Sequence, residues 1–102
     1  MDDKQNQEFR DLFIKVFSFK GFQAQLLQVL AEMPLQTFLL KDVYTQAEIL
    51  KESNPDINEF EADIRASLQQ FRNKGLLIFL QRGRYRLSDV FWRFISKGNQ
   101  PA

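Results

Sequence analysis

Three arginines, Arg82, Arg84 and Arg86, stand at alternate positions around Gly83 in a chain of 102 residues. Arg65, Arg72 and Lys74 come shortly before them. A guanidinium suits phosphate because its planar fork matches two oxygens at once. A glycine among arginines also lets a loop tip approach a polyanion backbone closely. Gln69, between Arg65 and Arg72, carries an amide able to reach a base edge. The candidate DNA-contact residues are therefore Arg65, Gln69, Arg72, Lys74, Arg82, Arg84 and Arg86. A solubilising hairpin tip is the plainer account of the same residues, and docking of an acidic protein is a third.

Other chemistries are narrowed by composition. The chain has no histidine and no cysteine. A Ser-His-Asp triad, a cysteine nucleophile, disulfides, and Cys- or His-ligated zinc, haem or iron–sulfur sites are thereby excluded. The expectation is a protein with no catalytic residue, no metal site and no cofactor. Hydrophobic residues at 44% and charged residues at 26% are ordinary for a globular domain. The longest apolar runs, such as Leu76 to Leu80, fall far short of the roughly 20 residues that span a bilayer. No membrane partner is expected. The polar, acidic start Met1-Asp2-Asp3-Lys4-Gln5 does not read as a secretory signal. A cytoplasmic location is the default expectation.

The formal net charge of +1 conceals a division. Residues 1–63 carry a net −6, whereas residues 64–102 carry a net +7 with Asp89 as their one acid. A basic final third on an acidic body suggests a polyanion-binding face.

The elements that must position these residues are legible from apolar spacing. Phe9, Leu12, Phe13, Val16 and Phe17 recur at three and four, which predicts a helix over about 5–17. Phe22, Leu26, Val29, Leu30 and Met33 predict a second, ended by Pro34. Thr37-Phe38-Leu39 reads as a short strand. Val43, Ala47 and Leu50 predict a helix over 40–52, and Ser53-Asn54-Pro55-Asp56 a turn. Phe60, Ile64, Leu68 and Phe71 predict a further helix, N-capped by Asn58 with Glu61 completing a capping box. Arg72 and Lys74 load its C-terminal end, and Gly75 stops it.

Two strands, 78–81 and 84–87, then flank Arg82-Gly83. A two-residue turn there pairs Leu80 with Tyr85 and Ile78 with Leu87, which places those four on one face. Arg84, Arg86, Gln81 and Phe79 share the other face, and a bulged three-residue loop is the alternative. Ser88 caps a last amphipathic helix that carries Val90, Phe91, Phe94 and Ile95. The order places a helix–turn–helix before a two-stranded hairpin with a basic tip. That is the winged-helix arrangement.

The segment Ile64-Arg65, Leu68-Gln69, Phe71-Arg72-Asn73-Lys74-Gly75, Phe79-Leu80, Arg82-Gly83 and Tyr85-Arg86 resembles the C-terminal winged-helix domain of methyladenine-directed restriction enzymes and Dam-replacing proteins. Phe38-Leu39-Leu40-Lys41-Asp42-Val43-Tyr44 is similar to the family's opening strand and helix. The likeness runs from Phe38 to Leu87 and implies a DNA-reading ancestry. Nucleases of that family hold magnesium with Pro-Asp and then Asp/Glu-x-Lys. Here the one Pro-Asp is Pro55-Asp56, in a turn, and the one Asp/Glu-x-Lys is Asp2-Asp3-Lys4, in the wrong order. The family is polar or basic at the start of the recognition helix, whereas this chain has Glu59, Glu61 and Asp63 there, and phosphates repel them.

Phenylalanine is in excess, at 11 of 102 residues. Phe9, Phe13, Phe17, Phe91 and Phe94 lie on the terminal helices, outside a minimal winged helix. They predict a two-fold dimer seam; the alternative is that both helices pack on their own core.

The sequence thus predicts a mostly helical α+β fold, a winged helix–turn–helix with extra N-terminal and C-terminal helices. Residues 1–102 form one domain: N-terminal helices over 1–33, a core over 37–87 and a C-terminal helix over 88–97. The expected function is that of a non-enzymatic regulator that binds double-stranded DNA as a homodimer. The alternative is a winged-helix adaptor that binds protein and not DNA.

Overall fold

The computed structural model describes the backbone of residues 3–99 and the side chains of Gln7 and of residues 10–95. Helix α1 (Asp3–Phe17) and helix α2 (Phe22–Ala31) lead to strand β1 (Thr37–Leu39). Helix α3 (Leu40–Gln46), a 3-10 turn (Ala47–Ile49) and the single-turn helix α4 (Leu50–Ser53) follow. Then come helix α5 (Phe60–Asn73), strands β2 (Leu77–Gln81) and β3 (Arg84–Leu87), and helix α6 (Asp89–Asn99). This is an α+β winged helix–turn–helix, with α1 and α6 added at its two ends.

The core forms where α2, α3 and α5 close over one face of the sheet. Leu26, Leu30, Val43, Ala47, Ile64, Leu68, Phe71, Leu76 and Leu87 are almost completely buried in it. Leu12 from α1 and Phe91 from α6 join the same cluster. The predicted apolar face of α5 is all inside: Phe60, Ile64, Leu68 and Phe71.

The predicted helix over 40–52 is instead three helical pieces. Asp42 holds the start of α3 by accepting a hydrogen bond from the Leu39 N–H at 3.2 Å. Asn54 closes the end of α4 and ties it to α2. Its side-chain amide donates to the Leu50 carbonyl at 2.8 Å and to Gln25 Oε1 at 2.7 Å.

Two features of α5 differ in quality from their sequence signals. The predicted capping box of Asn58 and Glu61 does not form. The cap residue is Glu59, with no side-chain bond, because Ile57 and Phe60 pack inward and set the chain's path. The stop at Gly75 does form. Gly75 takes φ +78°, its N–H reaches the Arg72 carbonyl at 3.0 Å, and the Leu76 N–H reaches Phe71 at 3.0 Å. This is a Schellman closure, in which the left-handed residue returns two amides to the last turn. It delivers Leu76 straight into the core.

The sheet is antiparallel with order β1-β3-β2, so β3 is central. Arg82-Gly83 is the turn, as predicted, with Gly83 at φ +75°. The predicted register is wrong beyond it. Gln81 pairs with Arg84, but Phe79, not Leu80, pairs with Tyr85, and Leu77, not Ile78, pairs with Leu87. Leu80 is a bulge. One extra residue on β2 exchanges the two faces of that strand. Leu77 is therefore buried, whereas Ile78 and Leu80, assigned to the core from sequence, are 43% and 46% exposed. Ser88 caps α6 as expected, its Oγ accepting from the Phe91 N–H at 3.3 Å.

Candidate nucleic-acid interface

On the inward-facing side of the sheet, one aromatic residue from each strand falls in line. Phe38 on β1 pairs with Tyr85 on β3, and Tyr85 with Phe79 on β2. Tyr85 stacks on Phe38 with ring centres 6.2 Å apart and meets Phe79 edge-on at 5.8 Å. The row begins in the core and ends at the rim, where the Arg72 guanidinium lies 5.5 Å from the Phe79 ring centre. A cation over a ring face is held by the ring quadrupole. Arg72, on α5, is thus clamped to the wing.

Arg65 is fixed from the other side. Its Nη1 donates to the Tyr44 hydroxyl at 2.9 Å, which joins α5 to α3. That bond, with Glu61 and Glu59 at longer range, raises the guanidinium above its ordinary value. Glu61 and Arg65 stand at i,i+4, a spacing that allows a surface ion pair, but Arg65 bonds Tyr44 instead. Burial pushes the Tyr85 phenol up, Tyr44 adds to this, and Arg65 and Arg72 oppose it. Gln69, between the two arginines, bonds Asn73 along the helix at 3.1 Å.

The wing arginines do not form one set. Arg82 sits in the turn and Arg84 on the outer face of β3. Both are exposed and have no hydrogen-bond or ion-pair partner among the described residues. Arg86 is half-buried and engaged. Its Nη2 lies 2.8 Å from Asp89 Oδ1, the same oxygen that accepts from Gln36 Nε2 at 2.8 Å. Gln36 also bonds the Leu87 carbonyl at 2.8 Å. The Arg86 and Gln36 bonds hold the Asp89 carboxyl below the usual carboxylate range. Lys74, the C-cap of α5, is exposed beside Gly75.

The structure therefore gathers Arg65, Gln69 and Arg72 on the flank of α5 that faces the wing, and Arg82 and Arg84 at the wing's tip. It ties Arg86 to the base of α6. The sequence reading missed Tyr44, Phe79 and Tyr85 as supports for these cations. The signal was present in Tyr44 and Tyr85 as the chain's two tyrosines.

At the opposite end of α5, Glu59, Glu61 and Asp63 are exposed and form no ion pair among the described residues. Glu59 and Glu61 border a shallow depression of about 620 Å³ that is also lined by Lys51, Asn58, Phe60 and Arg65. No group of three acidic side chains among the described residues is placed to hold a metal ion. No helix among them is long and apolar enough to cross a membrane.

The predicted dimer residues are also divided. The Phe9 side chain lies outside the described residues. Phe13 and Phe17 are exposed on α1 at 52% and 63%, with ring centres 4.4 Å apart. Phe91 is 2% exposed in the chain's own core, and Phe94 is half-buried. Phe91 therefore packs in the core, at the floor of a groove that its neighbours line. Phe17 and Phe94 border this open apolar groove of about 320 Å³ with Val16, Phe19, Leu27 and Ile95.

No curated protein and no solved structure matches the chain. Residues 18–87 match the family described as the Dam-replacing HTH domain. That span holds α2, the helix–turn–helix and the wing, and leaves α1 and α6 on either side. Over most of its length, from Ser18 to Leu87, the chain belongs to the Dam-replacing HTH domain family.

Proposed function

We propose that this chain is a non-enzymatic winged-helix protein that binds double-stranded DNA, and that it acts as a small homodimeric regulator. The observation that carries the DNA reading is the pair Arg82 and Arg84, exposed at the wing tip and unengaged among the described residues. Arg65 and Arg72 are pre-positioned beside them by Tyr44 and Phe79, so less side-chain freedom is lost on contact. Membership of a helix–turn–helix family supports the same partner. Wing arginines contact phosphates and supply affinity with little sequence information, whereas Gln69 and Arg65 face the bases.

The test is the salt dependence of duplex binding. Affinity of the wild type falls steeply as salt rises, because each phosphate contact releases counterions. Arg82→Ala with Arg84→Ala lowers the slope of log K against log salt by about 2, which is about 1 for each arginine removed. An unchanged slope removes the wing from the interface.

The acidic first turn of α5 favours a second reading. Glu59, Glu61 and Asp63 stand where a recognition helix enters the major groove. If the wild type binds no duplex at low salt, the protein-adaptor reading takes over, with the acidic turn as its docking surface.

A further inference from the structure

We infer that Leu80 is an apolar wedge which the wing inserts between base pairs in the minor groove, so that binding bends the duplex. The inference rests on the DNA-binding reading above and assigns a specific act to the wing.

Leu80 is the residue that the β2 bulge leaves without a partner. Phe79 pairs with Tyr85 and Gln81 with Arg84, and nothing on β3 opposes Leu80. Bulges of this kind re-aim a side chain and strengthen local twist. β2 is an edge strand, so no further strand among the described residues covers it. Leu80 is 46% exposed, one residue from the turn.

Its apolar neighbours are accounted for differently. Phe79 is 43% exposed, but it pairs with Tyr85, meets that ring edge-on, and has the Arg72 guanidinium 5.5 Å from its ring centre. Ile78 lies opposite Arg86, further from the tip. Leu80 alone of the three combines nearness to the tip with freedom from pairing.

The charge around Leu80 selects the occupant. Arg82 and Arg84 follow it closely and have no partner among the described residues. An apolar side chain set beside arginines matches minor-groove binders that unstack one base step while cations hold the phosphates on either side. A narrow minor groove attracts arginine by its negative potential. The acidic first turn of α5 adds a reason for the wing to act. Phosphates repel Glu59, Glu61 and Asp63, which weakens seating of the helix in the major groove. A bent duplex brings more backbone to Arg65, Arg72 and Lys74 without pressing on that turn.

The test is ligase-catalysed circle closure of a ~120-bp A·T-rich duplex, shorter than the ~150-bp persistence length and so slow to close alone. It is run at low salt, at matched occupancy set by gel shift. Wild-type protein is expected to raise closure about 10-fold or more, as a kink of tens of degrees would. Leu80→Ala is expected to bind within about 3-fold of the wild type, its phosphate contacts being intact, and to return closure to that of bare DNA. Leu80→Met keeps the wedge and keeps closure. Circular dichroism melts establish that both variants are folded. Wild type that binds but does not raise closure, or L80A that raises it equally, overturns the wedge and leaves DNA binding standing. Wild type that does not bind overturns both. Self-association without DNA that L80A abolishes assigns Leu80 to a seam between copies and overturns the wedge.

Discussion

The Arg86 guanidinium and the Asp89 carboxylate meet at 2.8 Å across the joint between β3 and α6. With Gln36 on the same carboxylate oxygen, the pair links the root of the wing to α6 and to the segment before β1. Of three arginines equivalent in the sequence pattern, one is therefore structural, and two are unengaged among the described residues.

Arg86→Ala is expected to lower the melting temperature more than Arg82→Ala or Arg84→Ala, and to change the salt slope of DNA binding less. The joint also predicts a pH dependence. The Asp89 carboxyl is held below its ordinary value by Arg86 and Gln36, so the folded chain binds that proton less readily than the unfolded one. The contribution is complete above the ordinary carboxylate range near about pH 4 and is lost as pH falls through the lowered value. Melts between pH 2 and 7 check this: Asp89→Asn flattens the acid limb, and an unchanged limb rules the joint out as its source.

The bulge gives a contrast between two apolar residues. Leu68 is 1% exposed. Leu68→Ala should cost about 2–5 kcal/mol, as lost burial plus a residual cavity. Ile78, on the outer face, should cost under about 1 kcal/mol when changed to Ala. Urea denaturation of the two variants measures the difference. Equal costs would restore the bulge-free register.

Glu59→Gln, Glu61→Gln and Asp63→Asn together remove the negative charge at the start of α5. DNA affinity at low salt should rise, by about 10-fold or more, because repulsion from nearby phosphates is relieved. Competition binding with a labelled duplex measures it. A loss of affinity would show that these carboxylates make favourable contacts, such as accepting hydrogen bonds from cytosine amino groups.

Phe13, Ile14 and Phe17 expose a large apolar surface on one side of α1. Such a patch on a small domain marks an interaction surface. Light scattering of the wild type at tens of micromolar should return twice the 12.1 kDa of the chain. Phe13→Ser with Phe17→Ser should return the single mass. A wild type of single mass would overturn the homodimer.

Local rules made much of this fold legible in the sequence. The face of α5 followed from three- and four-residue spacing, because a helix repeats every 3.6 residues and its apolar stripe must be buried. The stop at Gly75 and the cap at Ser88 followed from what those residues do to a backbone within one turn. The register of β2 did not. Leu76-Leu77-Ile78-Phe79-Leu80 is apolar throughout and has no alternation, so either phase buries apolar side chains. Packing chose: the closure at Gly75 delivers Leu76 and Leu77 inward, and the bulge at Leu80 absorbs the mismatch with the turn. The fates of like residues were also beyond sequence. Arg84 and Arg86 alternate on one strand, and the turn of the chain into α6, which brings Asp89 and Gln36 together at Arg86, separates them. Phe13 and Phe91 fit equally periodic helices, and only the docking of α1 and α6 decided which would be buried.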